Sequence, residues 1–106
     1  MSVSEPDREV LRQLKDNGDN AAIARPVAHF FYGEREQLYD VAERLEKPGW
    51  DEVELAQGED DFRLVATKIT DLSDAAVETM IAEVREAVAG LDVTYDGWET
   101  SVEKAN

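Results

Sequence analysis

Residues 50–69 read WDEVELAQGEDDFRLVATKI, and this stretch decides the fold. Val53 and Leu55 alternate with Glu52 and Glu54, the period of a half-exposed strand. Gln57-Gly58-Glu59-Asp60 supplies turn chemistry, and Phe62 to Ile69 follows as a second strand rich in apolar residues. The segment therefore predicts an antiparallel hairpin. What flanks it on either side decides which sheet the hairpin joins.

Toward the N-terminus, Glu34 to Lys47 has helical spacing, with Leu38, Val41, Ala42 and Leu45 at i, i+3, i+4 and i+7. Glu34 and Glu36 open it and Arg44 and Lys47 close it, in keeping with the helix dipole, and Pro48-Gly49 stops it. Before it, residues 24–32 read as a strand rich in aromatic and β-branched side chains, with Pro26 tolerable only at a start or an edge. Strand alternation puts Val27, His29 and Phe31 on one face and Ala28, Phe30 and Tyr32 on the other. Toward the C-terminus, a helix runs from about Ser73 to Ala89, capped by Asp71 or Ser73 and ended by Gly90. Val77, Met80, Ile81, Val84 and Val88 form its apolar stripe. A last strand begins at Leu91 and carries Val93-Thr94-Tyr95-Asp96-Gly97-Trp98 into a polar tail.

The order strand-helix-strand-strand-helix-strand is the split βαβ, ferredoxin-like arrangement of the α+β class. It predicts a four-stranded antiparallel sheet with both long helices on one face. An additional short helix precedes it. Ser4 can cap this helix, Pro6 suits its first turn, Asp7 completes an S-x-x-D box and Gly18 ends it. Its stripe is only Val10, Leu11 and Leu14, which reads as an appendage to a core built elsewhere. One domain over residues 1–106 accommodates all of this.

Composition removes many functions. The chain has no cysteine, so thiolate zinc sites, disulfides and cysteine nucleophiles are excluded, and its single His29 cannot build a multi-histidine metal site. Asp16-Asn17-Gly18-Asp19-Asn20 gathers oxygen ligands but lacks calcium-loop spacing, because the position where the bidentate Glu is needed holds Val27. No cofactor or metal is expected. The glycines are scattered singly, the serines lie at caps and tails, and no pair of carboxylates stands out for acid–base work, so no catalytic residue is expected either. His29, the one group titrating near neutrality, has apolar neighbours that favour a packed, neutral, hydrogen-bonded role.

The net charge of −14 opposes direct contact with nucleic-acid phosphates or anionic lipid, so a basic protein partner is the better expectation. Residues 49–106 hold 15 acids against four bases, whereas residues 1–48 hold ten against seven. This acidic half reads either as a docking surface or as a solubilising surface suited to a salty cytoplasm. Neither a membrane span nor a signal peptide is legible, so the expected location is cytoplasmic. The candidate contact residues are Glu59, Asp60 and Asp61 at the hairpin tip, together with Tyr95, Asp96, Trp98 and Glu99 in the closing segment. Gly97 there requires either a backbone bend or a closely approaching group, and Trp98 reads equally as an interface anchor or as a cover for the sheet edge.

Taken in order, several pieces resemble the regulator of ribonuclease activity B family, inhibitors of ribonuclease E. They are Asp16-Asn17-Gly18-Asp19-Asn20, Arg25-Pro26-Val27-Ala28-His29-Phe30-Phe31-Tyr32, Gly49-Trp50 and the close Val93-Thr94-Tyr95-Asp96-Gly97-Trp98-Glu99-Thr100. The resemblance spans about residues 7 to 100. It implies a ferredoxin-like sandwich and a non-enzymatic, acidic, cytoplasmic protein that binds ribonuclease E or its degradosome assembly. This chain ends briefly at Ser101-Val102-Glu103-Lys104-Ala105-Asn106 where the family carries a longer acidic tail. The competing reading is a small-molecule-sensing or protein-interaction module with no ribonuclease role, since fold alone does not fix function. The oligomeric state stays open.

Overall fold

The computed structural model describes residues 5–57 and 61–104. The elements run α1 (Glu5–Asp16), β1 (Arg25–Gly33), α2 (Arg35–Arg44), β2 (Trp50–Gln57), β3 (Phe62–Thr70), α3 (Asp74–Val88) and β4 (Val93–Thr100). The strands form one sheet in the order β2-β3-β1-β4, with every neighbouring pair antiparallel. This is the ferredoxin-like order expected from the sequence, with α1 added in front. Of the expected N-terminal cap and hairpin tip, Ser4, Glu59 and Asp60 lie outside the described residues.

Alternation along the two central strands builds the core. Arg25, Val27, His29 and Phe31 of β1 and Leu64, Ala66 and Lys68 of β3 are all buried. Leu38, Val41 and Leu45 from α2 and Val77, Met80, Ile81, Val84 and Ala87 from α3 complete the same cluster. Side chains with an odd number on β1 therefore face the helix side, and those with an even number lie on the face that no described element covers.

Local chemistry sets the element ends. α1 closes in a Schellman motif: Gly18 (φ +83°) donates to the Lys15 carbonyl and Asp19 to the Leu14 carbonyl, both at 3.0 Å. Ser73 caps α3 by accepting from the Ala76 amide, while Asp71 accepts from the Ser73 amide at 2.8 Å. α2 is shorter than its periodicity predicts, ending at Arg44 rather than Lys47. The Arg44 guanidinium reaches the end of α3 instead, donating to the carbonyls of Ala87 and Ala89 at 3.2 and 2.7 Å. The two helices are thereby tied where α3 exposes its unsatisfied acceptors.

Three expectations change. The apolar alternation of β2 does not bury Val53, which stays 40% exposed, because β2 is an edge strand at the margin of the helical cover. A register shift between Trp50 and Glu52 puts Trp50 opposite Lys68 and Val53 opposite Ala66, so Trp50 shares the helix face. The N-terminal helix is also more than an appendage: Leu14 enters the core, and Asp7 accepts from the Trp98 indole at 2.8 Å across 91 positions of sequence. Finally, the polar tail is docked. Asn20 donates to the Glu103 carbonyl at 2.7 Å, and the Glu103 amide donates to Asp19 at 2.8 Å.

Candidate interaction site

The closing segment Tyr95-Asp96-Gly97-Trp98-Glu99 owes its geometry to one glycine. Tyr95 pairs with Phe31 and Trp98 with His29, so two residues of β4, Asp96 and Gly97, stand opposite the single Phe30. Gly97 has φ +94°, the conformation a bulge of this kind demands. A methyl group placed there meets no atom within 4 Å. The glycine is therefore needed for the bend and not for a close approach. Because of the extra residue, Tyr95 and Trp98 both reach the helix face although they are three apart, while Glu99 falls opposite Ala28 on the open face.

Beneath the bulge lies a polar aromatic cluster. His29 is fully buried, and its Nδ1 lies 2.7 Å from the Tyr95 hydroxyl. Its ring centroid is 5.1 Å from that of Trp50 and 6.4 Å from that of Trp98. Burial lowers the imidazole from 6.5 to about 3; the Asp7 carboxylate opposes this and the Lys68 ammonium adds to it. Burial also raises the Tyr95 phenol above its ordinary value, with Asp7 adding to the rise. Both groups are neutral at physiological pH. We assign the hydroxyl as donor, which leaves the ring proton on Nε2, where no hydrogen-bond partner is found. The sequence reading of His29 as packed, neutral and hydrogen-bonded agrees with this arrangement.

Sequence reasoning missed the charges that this interior holds. Lys68 pairs with Glu83 of α3, and Trp50 donates to the same Glu83 carboxylate at 3.1 Å. Arg25 pairs with Asp19 at 2.5 Å, both side chains at least 96% buried, and also donates to the carbonyls of Ile23, Asn20 and Ser101. The strand period was the signal for both bases: Arg25 falls in step with Val27, His29 and Phe31, and Lys68 with Leu64 and Ala66. An inward base needs a buried acid, and Asp19, in the stretch weighed as a calcium loop, is that acid for Arg25. Among the described residues no three His, Cys, Asp or Glu side chains converge to hold a metal ion.

The bulge separates two depressions. On the helix side, a cleft of about 440 Å³ lies between α1, α3 and β4, with Ile81, Val84 and Val88 along one wall and Asp7, Tyr95 and Asp96 along the other. On the open side, a shallower hollow is bordered by Phe30, Tyr32, Arg63, Asp96, Trp98 and Glu99. Asp96 lines both. Four predicted contact residues, Tyr95, Asp96, Trp98 and Glu99, thus gather at one place. Trp98 is 6% exposed and joins α1 to the sheet, while Asp96 and Glu99 are exposed. Asp61 is exposed just before β3, near the Gly33 end of β1. That is five residues along β1 from the Ala28–Glu99 pair, or roughly 17 Å, so Asp61 and Glu99 do not form one cluster.

An α+β fold of this order, with a buried neutral histidine and with acids on its open side, defines a small acidic ferredoxin-like domain. Residues 4–100 match the family model of regulator of ribonuclease activity B, and the chain belongs to that family of ribonuclease regulators. No curated protein matches the chain. Among the described residues no helix is long and apolar enough to cross a membrane.

Proposed function

We propose that the protein is a non-enzymatic regulator that binds ribonuclease E, or the degradosome assembly around it, and lowers RNA cleavage. The observation that carries this reading is the family match over residues 4–100. The net charge of −14 supports a basic protein surface as the target, because RNA-binding regions of a nuclease are themselves basic. Asp96 and Glu99, with the acids of the hairpin tip Glu59, Asp60 and Asp61, are the proposed contacts. Tyr95 and Trp98 hold the bulge that presents Asp96 and Glu99.

The test is ribonuclease E cleavage of a fluorescent RNA while the folded protein is titrated in, at two salt concentrations. Inhibition whose onset weakens at the higher salt supports the reading. Unchanged cleavage across the titration sinks it. The cleft beside α3 favours a second reading, a small-molecule-sensing module. There, a metabolite at 100 times its Kd should add about 2.7 kcal/mol of stability in a thermal-shift screen.

A further inference from the structure

We propose that the uncovered face of the sheet is a docking trough for a basic amphipathic α-helix of the protein partner. The strand register puts one row of side chains across all four strands: Glu99 of β4, Ala28 of β1, Thr67 of β3 and Glu52 of β2. The next row sets the Asp96–Gly97 bulge beside Phe30, Val65 and Glu54. In both rows the centre is small or apolar and each outer strand carries a carboxylate. Ile69, 40% exposed, extends the apolar strip beyond the first row, opposite Pro26.

The two rims lie three strand spacings apart, roughly 14 Å, and an α-helix with its side chains is about 10–12 Å across. A helix laid along the strands would set its apolar stripe on Ala28, Phe30, Val65 and Thr67. Lysines or arginines on its flanks would reach Glu52 and Glu54 on one side and Asp96 and Glu99 on the other. None of these four carboxylates is in an ion pair among the described residues, whereas Asp19 and Glu83 on the covered side are each paired with a base. The third row, Thr94, Tyr32, Arg63 and Ala56, ends the trough with a cation, which suits the negative end of a helix dipole. RNA is disfavoured there because its phosphates would meet four unneutralised carboxylates.

From the proposed function this inference takes only that the partner is a protein. Ribonuclease E affinity is measured for the full chain and for two variants of equal charge change, Glu52→Lys with Glu54→Lys on the rim and Asp40→Lys with Glu43→Lys on exposed α2. The rim variant should lose ~tenfold or more, through like charges facing the helix. The α2 variant should change by less than ~threefold, as screened charges at a distance do. Equal losses overturn the trough and leave the nuclease reading standing. If the rim reversal unfolds, Glu52→Gln with Glu54→Gln replaces it under the same criterion. If the unaltered protein does not bind the nuclease, the proposed function fails and a leucine–lysine helical peptide of about 14 residues, long enough for four turns, decides the trough. Amide shifts confined to Ala28, Phe30, Val65 and Thr67 uphold it, and shifts elsewhere or none at all overturn it.

Discussion

The two faces of the sheet are built from alternate residues of the same strands, yet they treat charge in opposite ways. On the covered face each base has a partner within reach: Arg25 holds Asp19, and Lys68 holds Glu83. On the open face Glu52, Glu54, Asp96 and Glu99 line two rims without a counter-ion among the described residues. The difference follows from solvation. A charge under the helices loses its water and must be neutralised or bonded, whereas one facing solvent keeps its water and stays available to a partner. Alternation thus divides each strand between holding the fold and meeting what lies outside.

The sharpest way to break this comparison is to unpair a charge on the covered face. Asp19→Ala leaves the Arg25 guanidinium buried without its carboxylate and removes the acceptor for the Glu103 amide. A loss of about 3–5 kcal/mol is expected in urea unfolding. A loss below about 1 kcal/mol, the range of exposed pairs, would mean that Arg25 is solvated in the fold. Next in size is Trp98→Phe, which keeps an aromatic ring but removes the indole donor that fastens Asp7 to β4. It should cost about 1–3 kcal/mol, with hydrogen exchange rising first in α1. Uniform exchange across the sheet, with α1 unchanged, would disconnect α1 from Trp98.

His29 makes the comparison depend on pH. Its folded value of about 3 lies below the ordinary 6.5, so the unfolded chain binds the proton more readily. The stability this group supplies is therefore complete above 6.5 and is lost as pH falls toward 3, by up to about 1.4 kcal/mol per unit. Unfolding free energies measured between pH 6 and 4 should fall more steeply for the protein than for His29→Gln, by that slope; parallel curves would contradict a buried neutral ring. Gly97→Ala tests the hinge between the faces. At φ +94° the added methyl has room but the backbone does not favour it, so a loss of about 1–2 kcal/mol is expected from thermal unfolding. The smallest effect belongs to the open face: Glu52→Gln should leave stability within about 0.5 kcal/mol while slowing association with a basic partner. A larger drop in stability would give Glu52 a structural role.

Much of the fold was legible because its signals are local. The helical period from Leu38 to Leu45 and the alternation of β1 give element type and facing, and the order of elements gives the topology. Gly18, Gly49 and Gly90 stand at element ends with positive φ, as punctuating glycines should. The site was legible in part. Trp98 and Gly97 stood out as residue types, but choosing between an interface anchor and an edge cover needed the bulge register and the bond to Asp7. Lys68 and Glu83, 15 positions apart on different elements, became a pair only once α3 was laid across β3.

What the sequence determined by itself is therefore the set of elements, the face each strand residue occupies, and an acidity concentrated in residues 49–106. These follow from periodicity, caps and charge counts, which act over a few residues or over the whole composition. Only the tertiary structure decided which acids are consumed inside and which remain outside, that Asp7 fastens α1 to β4, and that Glu99, Ala28, Thr67 and Glu52 form one row. Such facts depend on strand register and on helix placement. Both are set by packing between residues distant in sequence, where no local period carries the information.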